Sequence, residues 1–295
     1  MKPHLVFIHG RAQEHKDSVA LKKEWIDAWR EGLAKSGRDI PIPESDIKFP
    51  YYGQALFDLV ARNDTVAEVI VRGGLDPSEL AFQQAVIAEI QKAKKITDEQ
   101  VEALLATEVV QRGPLNWEWT QGILKAIDKH VPGASGASIA LATKDVYQYL
   151  ENPVVRDQID MGVLKGMSAG TPTVVVSHSL GTVVAYNLLK GNGANMSWNV
   201  PLFVTLGSPL GVTAIRTKLS PVEHPSCVGH WHNAADKRDV VALYPLDSKH
   251  FDIDPEIENR RNLRNRTSNR HGISGYLDDK GVALLIHDAL IAAGG

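Results

Sequence analysis

An α/β fold, with a mostly parallel central sheet flanked by helices and a helical insertion, is what this sequence predicts. Three observations point there. Short apolar runs rich in β-branched residues, at Leu5–Ile8, Thr173–Val176 and Leu202–Leu206, alternate with helical patterns, the order of elements that builds a parallel sheet covered on both faces. Turn residues close these runs, His9-Gly10 after the first and Gly207-Ser208-Pro209 after the third. Between about residues 54 and 145, strand-like runs are scarce and helical patterns recur, so that stretch reads as a helical insertion within one domain spanning 1–295.

Taken in order, Leu5–Ile8 is expected to be a fully buried strand. A helix from about Val19 to Leu33 follows, because Leu21, Trp25, Ala28, Trp29 and Leu33 recur at helical spacing, with Lys35-Ser36-Gly37 as its stop. Ile47-Lys48-Phe49 is a second strand, leaving through Pro50-Tyr51-Tyr52-Gly53. In the insertion, helices are expected at Leu80–Ala93, Asp98–Thr107, Trp117–Lys129 and Lys144–Leu150. Arg112-Gly113-Pro114 and Val131-Pro132-Gly133 separate them. From about Asp145 the last of these should rejoin the core as the helix preceding the next strand. Beyond Thr173–Val176 come a helix from Thr182 to Lys190, the Leu202–Leu206 strand, a further strand at Val228–His232 and a closing helix at Val282–Ala292.

Composition excludes several function classes. Hydrophobic residues make up 43% and charged residues 23% of the 295, the balance of a globular chain able to bury a sizeable core. A formal net charge of -3 argues against a broad nucleic-acid surface. With one cysteine, Cys227, neither an internal disulfide nor a cysteine-based zinc site can form. The apolar stretch at the start is too short for a signal peptide, and no segment has the length of a membrane span. The expected location is therefore the cytoplasm. No strand is followed by G-x-G-x-x-G or G-x-x-x-x-G-K-[ST], which sets aside a nucleotide-binding reading.

Two stretches compete for a nucleophilic serine. Gly166-Met167-Ser168-Ala169-Gly170 matches G-x-S-x-G by letter, but it precedes a strand and no helix follows it directly. Ser177-His178-Ser179-Leu180-Gly181 puts serine at the first glycine position. It nevertheless follows the strand Val174-Val175-Val176 and runs straight into the helix at Thr182, which is the context a nucleophile elbow requires. Ser179 is accordingly the expected nucleophile; the competing role is a plain helix N-cap.

A serine hydroxyl needs a base, and the base needs an acid to orient it. Downstream acids cluster in His232-Asn233-Ala234-Ala235-Asp236-Lys237-Arg238-Asp239, after a strand; Asp239 is preferred over Asp236. Among the histidines, His271 lies in a loop just before the last helix and is preferred over His250, while His287 sits inside that helix. His178 is expected to be a buried, hydrogen-bonded support. His230-x-His232 could share a strand face as a metal pair, but no third ligand is evident nearby. No metal and no cofactor are expected.

Together Phe7-Ile8-His9-Gly10, Val174–Gly181, Val204-Thr205-Leu206-Gly207-Ser208-Pro209-Leu210-Gly211, the Asp239 loop and His271-Gly272 resemble the α/β-hydrolase superfamily, and its lipase/esterase-like members in particular. The resemblance implies Ser179 as nucleophile, His271 as base, Asp239 as acid, and the N–H groups of Leu180 and Arg11 as an oxyanion hole. Two departures are visible: Ser177 stands where glycine is usual, and the first core strand starts almost at the N-terminus. The implied activity is hydrolysis of a small-molecule or lipid ester through an acyl-enzyme. Thioesterases and peptidases use the same residues, and a non-catalytic binding protein could keep the scaffold. The basic run Arg260, Arg261, Arg264, Arg266 and Arg270 is either a phosphate- or carboxylate-binding feature of the substrate site or, preferably, a solvated surface.

Overall fold

The computed structural model describes residues 1–10, 17–53, 76–105 and 116–295. Its centre is a six-stranded sheet in the order β2-β1-β3-β4-β5-β6, formed by β1 (His4–Ile8), β2 (Ile47–Lys48), β3 (Thr173–His178), β4 (Val200–Leu206), β5 (Val228–Ala234) and β6 (Glu258–Arg260). Every neighbouring pair is parallel.

Strand side chains alternate between the two faces, and two cores result. Leu5, Phe7, Val174, Val176, Leu202 and Val204 face a layer built on α1 (Ser18–Ala34) and the C-terminal helix Lys280–Gly294. Val6, Ile8, Val175 and Phe203 face the other way, toward the helices between β2 and β3 and the helix that follows β3. Because both faces are covered, the central strands read as nearly unbroken apolar runs, which is why they were visible in the sequence. Trp25 and Trp29 of α1 are fully buried against Phe7, and the Trp29 indole N–H donates to the Ala283 carbonyl at 3.1 Å, tying the first helix to the last.

Between β2 and β3 the described helices are α2 (Pro77–Ala93), α3 (Asp98–Glu102), α4 (Trp117–His130), α5 (Gly136–Glu151) and α6 (Pro153–Leu164). Each starts on a side-chain cap: Asp76, Thr97, Asn116, Ser135 and Asn152 accept from backbone N–H groups one to three residues into the helix. Two boundaries differ from expectation by more than a turn. α3 stops at Glu102 rather than Thr107, and the stretch after Leu105 lies outside the described residues. α5 begins at Gly136, a full two turns before the expected Lys144: Val131-Pro132-Gly133 is a loop, but Ser135 caps directly after it and Ile139, Ala140, Thr143 and Val146 are buried along one side.

α6 was not expected at all, so it is α6 and not the end of α5 that leads to β3. Its signal is present, with Asn152 capping both Val154 and Val155, Pro153 in the first turn, and Val155, Ile159 and Val163 buried at i,i+4 spacing. After β3 come α7 (Leu180–Asn192), α8 (Thr213–Lys218), α9 (Ser274–Leu277) and α10 (Lys280–Gly294). Neither α8, nor the four-residue α9 within the stretch read as a loop, nor the three-residue β6 was expected; all are too short for a periodic pattern to build up. Among the described residues no helix is long and apolar enough to cross a membrane.

Candidate active site

In a parallel sheet the strands all end on one edge, and the loops leaving them converge there. β3 ends at His178 and α7 begins at Leu180, so Ser179 makes the whole turn, with φ 54° and ψ -130°. A serine rarely adopts such a backbone; strain of this kind costs about 1–3 kcal/mol and persists only where the surroundings enforce it. Two glycines let that happen. A Cβ on Gly181 would run into the carbonyls of Ile8 and His9, so only glycine lets α7 start this close to the end of β1. A Cβ on Gly10 would sit 2.7 Å from the Ser179 Cβ. Ser177, where glycine is usual, is fully buried and its hydroxyl donates to the Val204 carbonyl at 3.1 Å, so the neighbouring strand accommodates it.

Ser179 occupies the N-cap position of α7 but makes no capping hydrogen bond. Its hydroxyl lies 2.9 Å from His271 Nε2, and His271 Nδ1 lies 2.7 Å from Asp239 Oδ2. A carboxylate can only accept, so Nδ1 carries the proton and Nε2 offers its lone pair to the serine hydroxyl. Asp239 is completely buried. Burial pushes its carboxyl up, but the facing His271, the Tyr276 hydroxyl at 2.6 Å and the Val241 N–H at 2.8 Å outweigh burial and hold it below the usual carboxylate range. It therefore stays ionised and fixes the imidazole tautomer.

The surroundings hold this arrangement in place. His178 Nε2 donates to the His271 backbone carbonyl at 2.7 Å, with the two rings 4.6 Å apart. Burial, and then the neighbouring His271, push the His178 pKa down to about 3, so it is a neutral donor that anchors the His271 loop. Asp236 has a different task from Asp239. Its carboxylate accepts from Arg238 Nε and Nη2 at 3.0 and 2.6 Å and from the Asn265 N–H at 2.8 Å, clamping the Asn265–His271 loop onto the Asp239 loop. Lys94, at the end of α2, donates to the carbonyls of Lys237 and Asp239 at 3.4 and 3.3 Å. Neither Tyr276 nor Lys94 was singled out from the sequence. Tyr276 follows His271 by only five residues, yet which acid it reaches depends on how the chain folds back.

Of the other expected groups, Leu180 opens α7, so its N–H has no intrahelical acceptor and is available to an oxyanion. Arg11 lies outside the described residues. Ser168 is exposed beyond α6, at the opposite end of β3. His250 bonds Asp247 at 2.7 Å and stacks on Tyr244; His287 bonds its neighbour Asp288 at 2.8 Å. On β5, His230 and His232 share a strand face, His230 exposed and His232 buried 3.4 Å from Glu258, but among the described residues no group of three potential metal ligands is found. In the basic run, Arg260 pairs with Asp279 at 3.0 Å and Arg270 bonds carbonyls of its own loop; Arg264 and Arg266 are exposed.

Comparison with protein-family models, with curated proteins and with solved structures gives no significant match to this chain.

Proposed function

We propose that this chain is a serine hydrolase of the α/β-hydrolase type, esterase- or lipase-like, that cleaves carboxylic esters through an acyl-enzyme. One observation carries the reading: a continuous hydrogen-bonded path from the Ser179 hydroxyl through His271 to the buried Asp239, built on a backbone turn that a capping serine would have no reason to adopt.

In the proposed reaction the Ser179 oxygen attacks the ester carbonyl carbon while His271 Nε2 takes its proton. Asp239 remains a carboxylate and stabilises the imidazolium. The Leu180 N–H faces the oxyanion, and a second donor is expected from the Arg11 position; one such donor is typically worth about 10²–10³ in kcat. His271 then gives its proton to the departing alcohol. Water, deprotonated in turn by His271, attacks the acyl-enzyme carbonyl; as the acyl–oxygen bond breaks, His271 returns the proton to the Ser179 oxygen and the carboxylic acid leaves. A fluorophosphonate probe tests this directly. Stoichiometric labelling that disappears in Ser179→Ala, together with loss of p-nitrophenyl ester turnover, is the expected result. An unlabelled wild-type protein would favour the binding-protein alternative.

A further inference from the structure

Two hollows meet at Ser179, and only one of them contains His271. The first lies between α2 and α5 on one side and the Pro209–Ile215 stretch on the other; Val86, Ile139, Val146 and Ile215 are among its walls. Among the described residues its polar members are few. Thr143 donates its hydroxyl to the Ile139 carbonyl of its own helix at 2.8 Å, and Ser179 is the nucleophile itself. The second hollow shares Ile139, Val240 and Val241 with the first and adds the polar groups: His178, His271 and Asn269, Ser135 and Ser138 at the start of α5, and Glu24 of α1.

The chemistry assigns the two. On collapse of the tetrahedral adduct the leaving oxygen must lie within hydrogen-bond reach of His271 Nε2, about 2.6–3.2 Å. The alcohol half therefore belongs in the hollow that His271 lines, and the acyl half in the one it does not. Building on the hydrolase reading above, we propose that the substrates are esters of an apolar acyl chain with a polar, non-anionic alcohol. The acyl chain enters the apolar chamber beneath α2 and α5; the alcohol occupies the mouth between Glu24 and Asn269. Burying a charged or hydrogen-bonding acyl tail in the first hollow would leave its polar groups unpaired. In the mouth, the Glu24 carboxylate repels anions, and the arginine run does not line either hollow, which argues against a phosphorylated headgroup.

Two constitutional isomers read the orientation in wild-type protein. 2-Methoxyethyl hexanoate puts the apolar chain on the acyl side, and hexyl methoxyacetate puts it on the alcohol side. The latter is the intrinsically more reactive ester, so chemistry alone works against the prediction. The expected result is a kcat/KM at least tenfold higher for the hexanoate. Val146→Phe, which narrows the chamber, should lower the hexanoate-to-acetate ratio of 2-methoxyethyl esters about tenfold. Glu24→Lys should shift preference from a choline ester toward a glycolate-type anionic leaving group. A labelled, active enzyme that favours hexyl methoxyacetate, or treats the isomers equally, overturns this inference alone. A protein that neither labels at Ser179 nor turns over any ester overturns the hydrolase reading and this inference together.

Discussion

Ser135 and Ser179 are both serines standing immediately before a helix, and they do opposite things. Ser135 has an extended backbone, φ -132° and ψ 116°, and its hydroxyl accepts from the Ser138 N–H at 3.3 Å, as an N-cap should. Ser179 has φ 54°, leaves the α7 amides uncapped and directs its hydroxyl at His271. The helix at Ser135 gains local stability. The helix at Ser179 gives up a cap, typically worth about 1 kcal/mol, and adopts a strained turn. Side-chain type and local position are the same; the difference is what arrives from elsewhere in the chain. At Ser179 three other strand ends deliver Gly10, the Asp239 loop and, through it, the His271 loop.

The sharpest way to break this comparison is to remove each hydroxyl. Ser179→Ala should reduce kcat for a p-nitrophenyl ester by at least about 10⁴-fold, and Ser135→Ala should instead lower the urea midpoint by an amount equivalent to about 1 kcal/mol. Equal activity losses in the two would erase the distinction drawn here. The two aspartates extend it. Asp239→Asn should lower kcat by up to about 10⁴-fold, because the imidazole loses the partner that fixes its tautomer. Asp236→Asn should show mainly as instability, about 1–3 kcal/mol from the donors left unsatisfied, measured by chemical denaturation. A larger kinetic loss at Asp236 would reverse their assignment.

Gly10→Ala probes the enforced turn. Its Cβ would press on Ser179, and a displacement of about 1 Å at a reacting group costs roughly 10²-fold in kcat; unchanged kinetics would mean that the contact does not hold the serine.

The smallest effect concerns pH. His178 has an ordinary value of 6.5 when unfolded and about 3 when buried. Between those values the unfolded chain binds a proton that the native state refuses, so stability falls as pH drops from about 6.5 toward 3, by up to about 1.4 kcal/mol per unit. His178→Asn keeps an N–H donor for the His271 carbonyl and removes the titration. Urea midpoints measured from pH 7 to pH 4 should fall less steeply in the variant, and parallel curves would contradict the buried neutral state.

Strands β1, β3 and β4 were legible because burial on both faces makes them continuous apolar runs, and α1 because its two tryptophans recur at helical spacing. The turn at Ser179 was legible over the literal G-x-S-x-G at Gly166–Gly170 because a strand and a helix flank it directly. α6 was missed although its cap and stripe were present, since Asn152-Pro153 also reads as a turn.

What the sequence determined alone is local: where the chain is apolar enough to be a strand, where it turns sharply, and which acids and histidines are available in a usable order. Only the tertiary structure decided that Asp239 meets His271 while Asp236 clamps the neighbouring loop, and that Tyr276 shares the Asp239 oxygen. It also decided that Ser179 stands between an apolar hollow and a mixed one that carries the polar groups. Those outcomes depend on groups separated by 29 to 92 positions being brought within hydrogen-bond distance. No periodicity or motif encodes such distances; they follow from parallel strands ending on one edge and delivering their loops to the same place.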